Sequence, residues 1–254
     1  SSDLAEAFGR ALDPVYDYSR AEVVLALDSD FLTEGPNAVR ASRDFMAKRR
    51  VRDGHGEMNR LYSAESTPTN TGTVADHHWA LSPRELERFA LAVAAQLRVS
   101  GARASAPFDS GDWAHRVEVV ARDLQKHRGR SLVVAGEQSP VALQVLAHAM
   151  NDALGNTGRT VSYLALADFD NDAHAALREL VAEIEAGKIE LTLLLGVNPD
   201  FDAPGDIALA AALKSVPHCA HLGLHADETA QFCNWHVPQT HWWECFGDAV
   251  AADG

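Results

Sequence analysis

Short apolar runs and longer amphipathic runs alternate along this chain. Runs of strand length stand at 21–27 (AEVVLAL), from Met58 to Ala64, at 131–135 (SLVVA), at 189–195 and from His218 to Leu224. Bounded by charge or turn residues, such runs predict buried strands. Between them, helical spacing predicts helices over RASRDFMAKRR, over ELERFALAVAAQL, over 113–127, over an Ala/Leu-rich stretch ending at Gly155, over 175–186 and over 208–214. The punctuation agrees. Gly35-Pro36-Asn37 breaks the chain before the first helix, and the loop from Ser66 to Gly72 is rich in turn residues. Ser82-Pro83-Arg84-Glu85 supplies a cap, a first-turn proline and a first-turn acid, and Gly187 ends the 175–186 helix. Strand–helix alternation predicts an α/β chain with mainly parallel sheets covered on both faces. The stretch 99–112 (VSGARASAPFDSGD) is small, polar and aperiodic, so it divides a first lobe, 1–104, from a second, 105–254.

Composition narrows the partners. With 254 residues, 46% of them hydrophobic and 23% charged, the chain has material for two modest cores. A formal net charge of −14 argues against nucleic acid and anionic membrane surfaces. The basic run Lys48-Arg49-Arg50-Val51-Arg52 reads as the solvated end of a helix. No apolar stretch reaches the ~18–20 residues that cross a bilayer. SSDLAEAFGR lacks the pattern of a signal peptide, and the abrupt ends predict a fragment of a longer protein. Cys219, Cys233 and Cys245 form an odd, widely spaced set, giving neither a disulfide framework nor a cluster motif.

Candidate chemistry lies where parallel strands end. Loops following strands in open α/β sheets expose backbone N–H groups and helix N-termini. Two have that form: Gly136, Glu137 and Gln138 after one strand, and Gly196, Asn198 and Asp200 after another. Neither a Gly-x-Gly-x-x-Gly motif nor a P-loop is present, and no Gly-x-Ser-x-Gly elbow appears. Asp28 and Asp30 read as a polar strand end capping the next turn. His218, His221, His225, His236 and His241 crowd the C-terminal part beside Cys219, Cys233, Asp227 and Glu228. Their spacing matches no zinc module, and strand alternation separates His218 from His221, so structural histidines are expected. His77-His78 reads as a packed turn, Cys219 as a buried thiol, and Trp235, Trp242 and Trp243 as packing residues.

Five segments, AEVVLALDSDFL (21–32), MNRLYSAESTPTNTGTVADHHWAL (58–81), 130–161, LLLGVNPDFDAPGD (193–206) and DETAQFCNWHVPQTHWWECFGD (227–248), stand in fixed order. In that order they resemble the pterin-dinucleotide-binding α/β domains of the molybdopterin oxidoreductase family. FGRALDPVYDY, ALDSDFL, MNRLYSAESTPTNTG and HLGLHADET are most similar to the molybdopterin-like region of the iron–sulfur subunit of bacterial alternative complex III. The resemblance implies two Rossmann-like three-layer lobes, with Gly136, Glu137, Gln138, Gly196, Asn198 and Asp200 in the loops that hold the nucleotide ends of the cofactor. It also implies a bacterial, membrane-associated complex on the periplasmic side, whose other subunits and missing domains are the partners. The family's N-terminal cluster cysteines, metal ligand and closing β-barrel have no counterpart here. The expectation is therefore a non-catalytic scaffold of a quinol-oxidising complex, holding no cofactor in this fragment, with iron–sulfur clusters elsewhere in the full-length protein. Two alternatives stay open. One is the central part of a molybdenum or tungsten bis-pterin enzyme that binds molybdopterin guanine dinucleotide. The other is a zinc hydrolase using the C-terminal histidines.

Overall fold

The computed structural model describes residues 12–50, 57–165 and 173–248. Val51, Arg52 and the polar linker 53–56 lie outside the described residues. The chain divides into two compact units between Asp168 and Phe169.

In the first unit, β1 (Leu12–Tyr16) precedes β2 (Val23–Leu27), α1 (Ala38–Ala47), β3 (Arg60–Glu65) and α2 (Asn70–Thr73). Then come β4 (His77–Ala80), α3 (Pro83–Gln96), α4 (Gly111–Lys126), β5 (Ser131–Ala135), α5 (Val141–Ala153) and β6 (Val161–Ala165). Four of the strands make one parallel sheet in the order β4-β3-β2-β5. β2 lies inside it, and every one of its residues is buried. Its alternation feeds two cores. Val23, Leu25 and Leu27 join Leu86, Phe89, Val120, Leu143 and Met150 from α3, α4 and α5 on one face. Val24 and Ala26 join Phe31, Phe45 and Leu132 beneath α1 on the other. Burial of each such large side chain is worth about 1.5–3 kcal/mol, so a strand feeding two cores anchors the unit. The result is a three-layer, Rossmann-like α/β arrangement. α3 starts as its sequence predicts: Glu85 accepts from the Ser82 N–H at 2.9 Å and from its hydroxyl, with Pro83 in the first turn.

The stretch 99–112 falls inside this unit instead of dividing lobes at 104. Phe108 is buried there, its ring meeting Trp113 at 4.8 Å and Phe89 at 5.8 Å, and β5 beyond it pairs with β2. Polar, small-residue composition concealed one aromatic anchor. β1 and β6 pair antiparallel; β1 carries no clear alternation, and Pro14 within it weakens its signal as a strand. His77-His78 opens the edge strand β4, a correction to the expected turn. Within the basic run, Arg49 is not solvated. It pairs with Asp76, donates to Asn59 Oδ1 at 3.1 Å and stacks on Phe45, tying α1 to the β3–β4 edge.

The second unit runs through α6 (Ala173–Glu185), β7 (Leu191–Leu195), α7 (Pro199–Asp202), α8 (Leu209–Leu213), β8 (His218–Gly223) and β9 (Trp235–Pro238). Its sheet is parallel, in the order β7-β8-β9, so β8 is central. Leu194 and Cys219 point into a core with Ile184, Leu209 and Leu213 from α6 and α8. On the opposite face Leu191, Leu193 and Leu195 are exposed, as are Trp235 and Val237. Among the described residues, no helix is long and apolar enough to cross a membrane.

Candidate functional site

The order β4-β3-β2-β5 reverses direction of growth between β2 and β5, and that is where open α/β sheets bind ligands. Two loops meet there. The chain leaves β2 through Asp28, Ser29 and Asp30, and leaves β5 through Gly136. The Gly136 N–H donates to the Leu27 carbonyl at 2.9 Å. A Cβ on Gly136 would stand 1.8 Å from the Asp28 carbonyl oxygen. Glycine is thus required for two backbone segments to pass each other, a structural demand that no ligand need explain. Asp28 accepts from the Ser66 N–H at 2.7 Å, and Asp30 accepts from the Thr71 N–H at 2.9 Å and its hydroxyl at 2.7 Å. Bonds from Thr33 and Thr71 hold the Asp30 carboxyl below its usual range, against the opposing effect of burial. Asp30 caps the next turn through Thr33, as its position predicts, whereas Asp28 holds the distant Ser66.

A cavity of about 490 Å³ opens at this switch point, lined by Tyr16, Tyr18, Asp30, Gly136, Glu137 and His148 among others. Apart from the Asp30 carboxylate, the titratable side chains inside it are neutral. Burial lowers the His148 imidazole to about 4, so it carries no charge near neutrality, and its Nδ1 lies 2.9 Å from the Tyr163 hydroxyl. Burial likewise raises Tyr163 to about 12 and holds Tyr16 and Tyr18 protonated. Its rim is acidic. Asp13, Glu34, Asp44 and Glu137 are lining residues, and the one cation among the described lining residues, Arg40, already meets Asp44 at 3.7 Å. Gln138 is exposed and does not line the cavity; Gln144 does, donating to the carbonyls of Glu137 at 3.2 Å and Ser139 at 3.1 Å. Sequence reasoning placed the Gly136 loop but missed Tyr16, Tyr18 and His148. Nothing in their local pattern distinguishes them from core residues.

In the second unit, Gly196 ends β7 with φ of 66°, and Asn198 leads into α7. Several polar atoms there are already used. Asn198 Oδ1 accepts from the Thr229 hydroxyl at 2.6 Å, and its Nδ2 donates to Glu228 at 2.8 Å. The Asp200 N–H donates to Thr229 Oγ1 at 3.1 Å, and Thr229 is fully buried. The bond from Asn198 draws the exposed Glu228 carboxyl below its usual range. Asn198, Asp200, Glu228 and Thr229 therefore form a clasp between two loops.

Of the C-terminal histidines, His221 and His236 are bonded to each other within the sheet. His221 is buried while His218 is exposed, on opposite faces of β8 as alternation requires. His221 Nε2 lies 3.2 Å from the Val197 carbonyl and so carries the proton, leaving Nδ1 to accept from His236 Nδ1 at 3.0 Å. A Cβ on Gly223 would meet this ring at 2.6 Å, so the glycine makes room for it. Among the described residues, no three His, Cys, Asp or Glu side chains converge to hold a metal ion. In the first unit, His78 Nε2 lies 2.9 Å from Glu65 Oε1. Glu65, buried at the end of β3, also accepts from the Thr69 N–H at 3.1 Å and hydroxyl at 2.7 Å. Gly72 packs so closely that a Cβ would stand 2.0 Å from Oε1. Sequence reasoning missed this hub, whose only signal is a carboxylate closing an apolar strand. Trp235, Trp242 and Trp243 are exposed, contrary to the expected packing role.

No family model matches the chain, and no curated protein matches it.

The residues present can be tested against molybdopterin guanine dinucleotide. Its diphosphate needs cations or free N–H donors. The switch-point cavity has a rim of carboxylates, whereas Arg20, Arg40 and Arg159 line a second cavity that shares Val15, Tyr16 and Arg40 with it. The Asn198 loop offers side chains already bonded to one another. The acidic rim disfavours a diphosphate in the switch-point cavity itself.

Proposed function

We propose that this chain is a molybdopterin-oxidoreductase-like scaffold domain of a bacterial, membrane-associated iron–sulfur redox subunit, of the quinol-oxidising alternative complex III type. It works without molybdenum and without catalysis of its own, on the periplasmic side, held by other subunits of the complex and by the remaining domains of its own protein. One observation supports the reading: key groups of the strand-end loops that the family uses for nucleotide are spent on the protein itself. Gly136 serves the passage of the Asp28 backbone, and Asn198 serves Thr229 and Glu228. The α/β fold with a Rossmann-like strand order supports the same reading.

Elemental analysis by plasma mass spectrometry, with fluorescence of oxidised pterin, tests it. Neither molybdenum, tungsten nor pterin is expected at stoichiometric level in the purified protein. Stoichiometric metal with pterin, or substrate-dependent dye reduction by the chain, overturns the scaffold reading. The switch-point cavity favours a second reading, a retained ligand site in the first unit. Its acidic rim and the Asp30 carboxylate within suit an uncharged or cationic ring in preference to a phosphate ester.

A further inference from the structure

We propose that Cys219 and Cys233 form an intramolecular disulfide that staples β8 to the segment entering β9. The proposal rests on geometry within the second unit and stands apart from the scaffold reading. The two Sγ atoms lie 3.0 Å apart, inside the contact distance of unbonded sulfurs. The backbone imposes this approach. The Cys219 N–H donates to Asn234 Oδ1 at 2.7 Å, and the Asn234 N–H donates to the Cys219 carbonyl at 2.8 Å. The parallel register that follows, Ala220 with Trp235 and Leu222 with Val237, holds the two segments side by side. Cys219 is buried in the core with Leu194 and Leu213, and Cys233 packs against the same core. Closing the pair to a bond of about 2.05 Å needs only about 1 Å of relative sulfur movement.

The chemistry balances with a small-molecule disulfide as oxidant. A Cys233 thiolate attacks it, releasing one small thiol and leaving a mixed disulfide. Cys219, deprotonated in turn, displaces the second small thiol. Two S–H bonds are lost, one S–S bond forms, and the small disulfide takes up both electrons and both protons. In the folded dithiol, burial, together with the neighbouring Cys219, pushes the Cys233 thiol up to about 12. Exchange in the folded state is therefore slow, which makes the bond a staple set during folding in preference to a reversible switch. Cys245 is exposed, its Sγ beside the Thr240 hydroxyl at 2.7 Å, and serves as an internal control.

The test uses the full chain refolded in a glutathione redox buffer, then alkylated in denaturant and mapped by mass spectrometry with and without reductant. Before reduction, Cys245 alone should take the label, and the peptides bearing Cys219 and Cys233 should run as one species lacking two hydrogens. Cys245→Ser should keep that linkage and unfold at a higher temperature than its own reduced form. Quantitative labelling of Cys219 and Cys233 before reduction overturns the proposal, as does a bond to Cys245. Equal unfolding temperatures for the oxidised and reduced forms overturn the stapling role.

Discussion

Single residues set the limits of the switch point. Gly136 has no room for a Cβ against the Asp28 carbonyl, so Gly136→Ala must move one of two backbone segments. The expected loss is at least about 1–3 kcal/mol, the usual range for overpacking, read by chemical denaturation. An unchanged midpoint would remove the structural account of that glycine. His148 makes a pH prediction. Its folded value of about 4 lies below the ordinary 6.5, so the unfolded chain binds more protons between those values. Stability from this residue is therefore complete above about 6.5 and is lost as pH falls toward 4, by roughly 3 kcal/mol at most. His148→Gln should flatten that limb of a stability-versus-pH curve. If the slope between pH 6.5 and 4 persists in the variant, other groups carry it.

At the scale of elements, alternation decides which substitutions matter. Leu194 faces the helices of the second unit, whereas its neighbour Leu193 lies 60% exposed on the other face of β7. Leu194→Ala should cost about 2–5 kcal/mol through lost burial and a cavity. Leu193→Ser should stay within about 0.5 kcal/mol, as substitutions on open surface do. Paired thermal melts of the two variants check the assigned face, and similar losses would mean that something covers Leu193. The elements themselves were legible where period and punctuation agreed. β2, β5, α3 and α6 occur where the apolar runs, the Ser82–Glu85 box and Gly187 predict them. β1, β4 and β9 were not, because four or five residues containing Pro14, His77-His78 or Pro238 carry too little alternation to announce a strand.

For the whole molecule, each unit keeps its own core, so local damage should remain local. Hydrogen exchange resolved by peptide should quicken across 12–165 in Gly136→Ala and stay unchanged across 173–248. Quickening throughout would mean that the chain unfolds as one body.

The sequence by itself determined the α/β class, the parallel strands and most helix ends, because period, caps and glycines act over neighbours a few residues apart. It also located the strand ends where a site could form. Tertiary structure alone decided what those ends do. Asp28 and Gly136 stand more than a hundred positions apart, as reading from 28 to 136 shows, yet their backbones touch. Asn198 meets Thr229, and Cys219 meets Cys233, across connections whose paths no local pattern records. Whether a polar loop awaits a ligand or is already satisfied depends on such distant partners, since a buried donor or acceptor is bonded by whatever the fold brings to it.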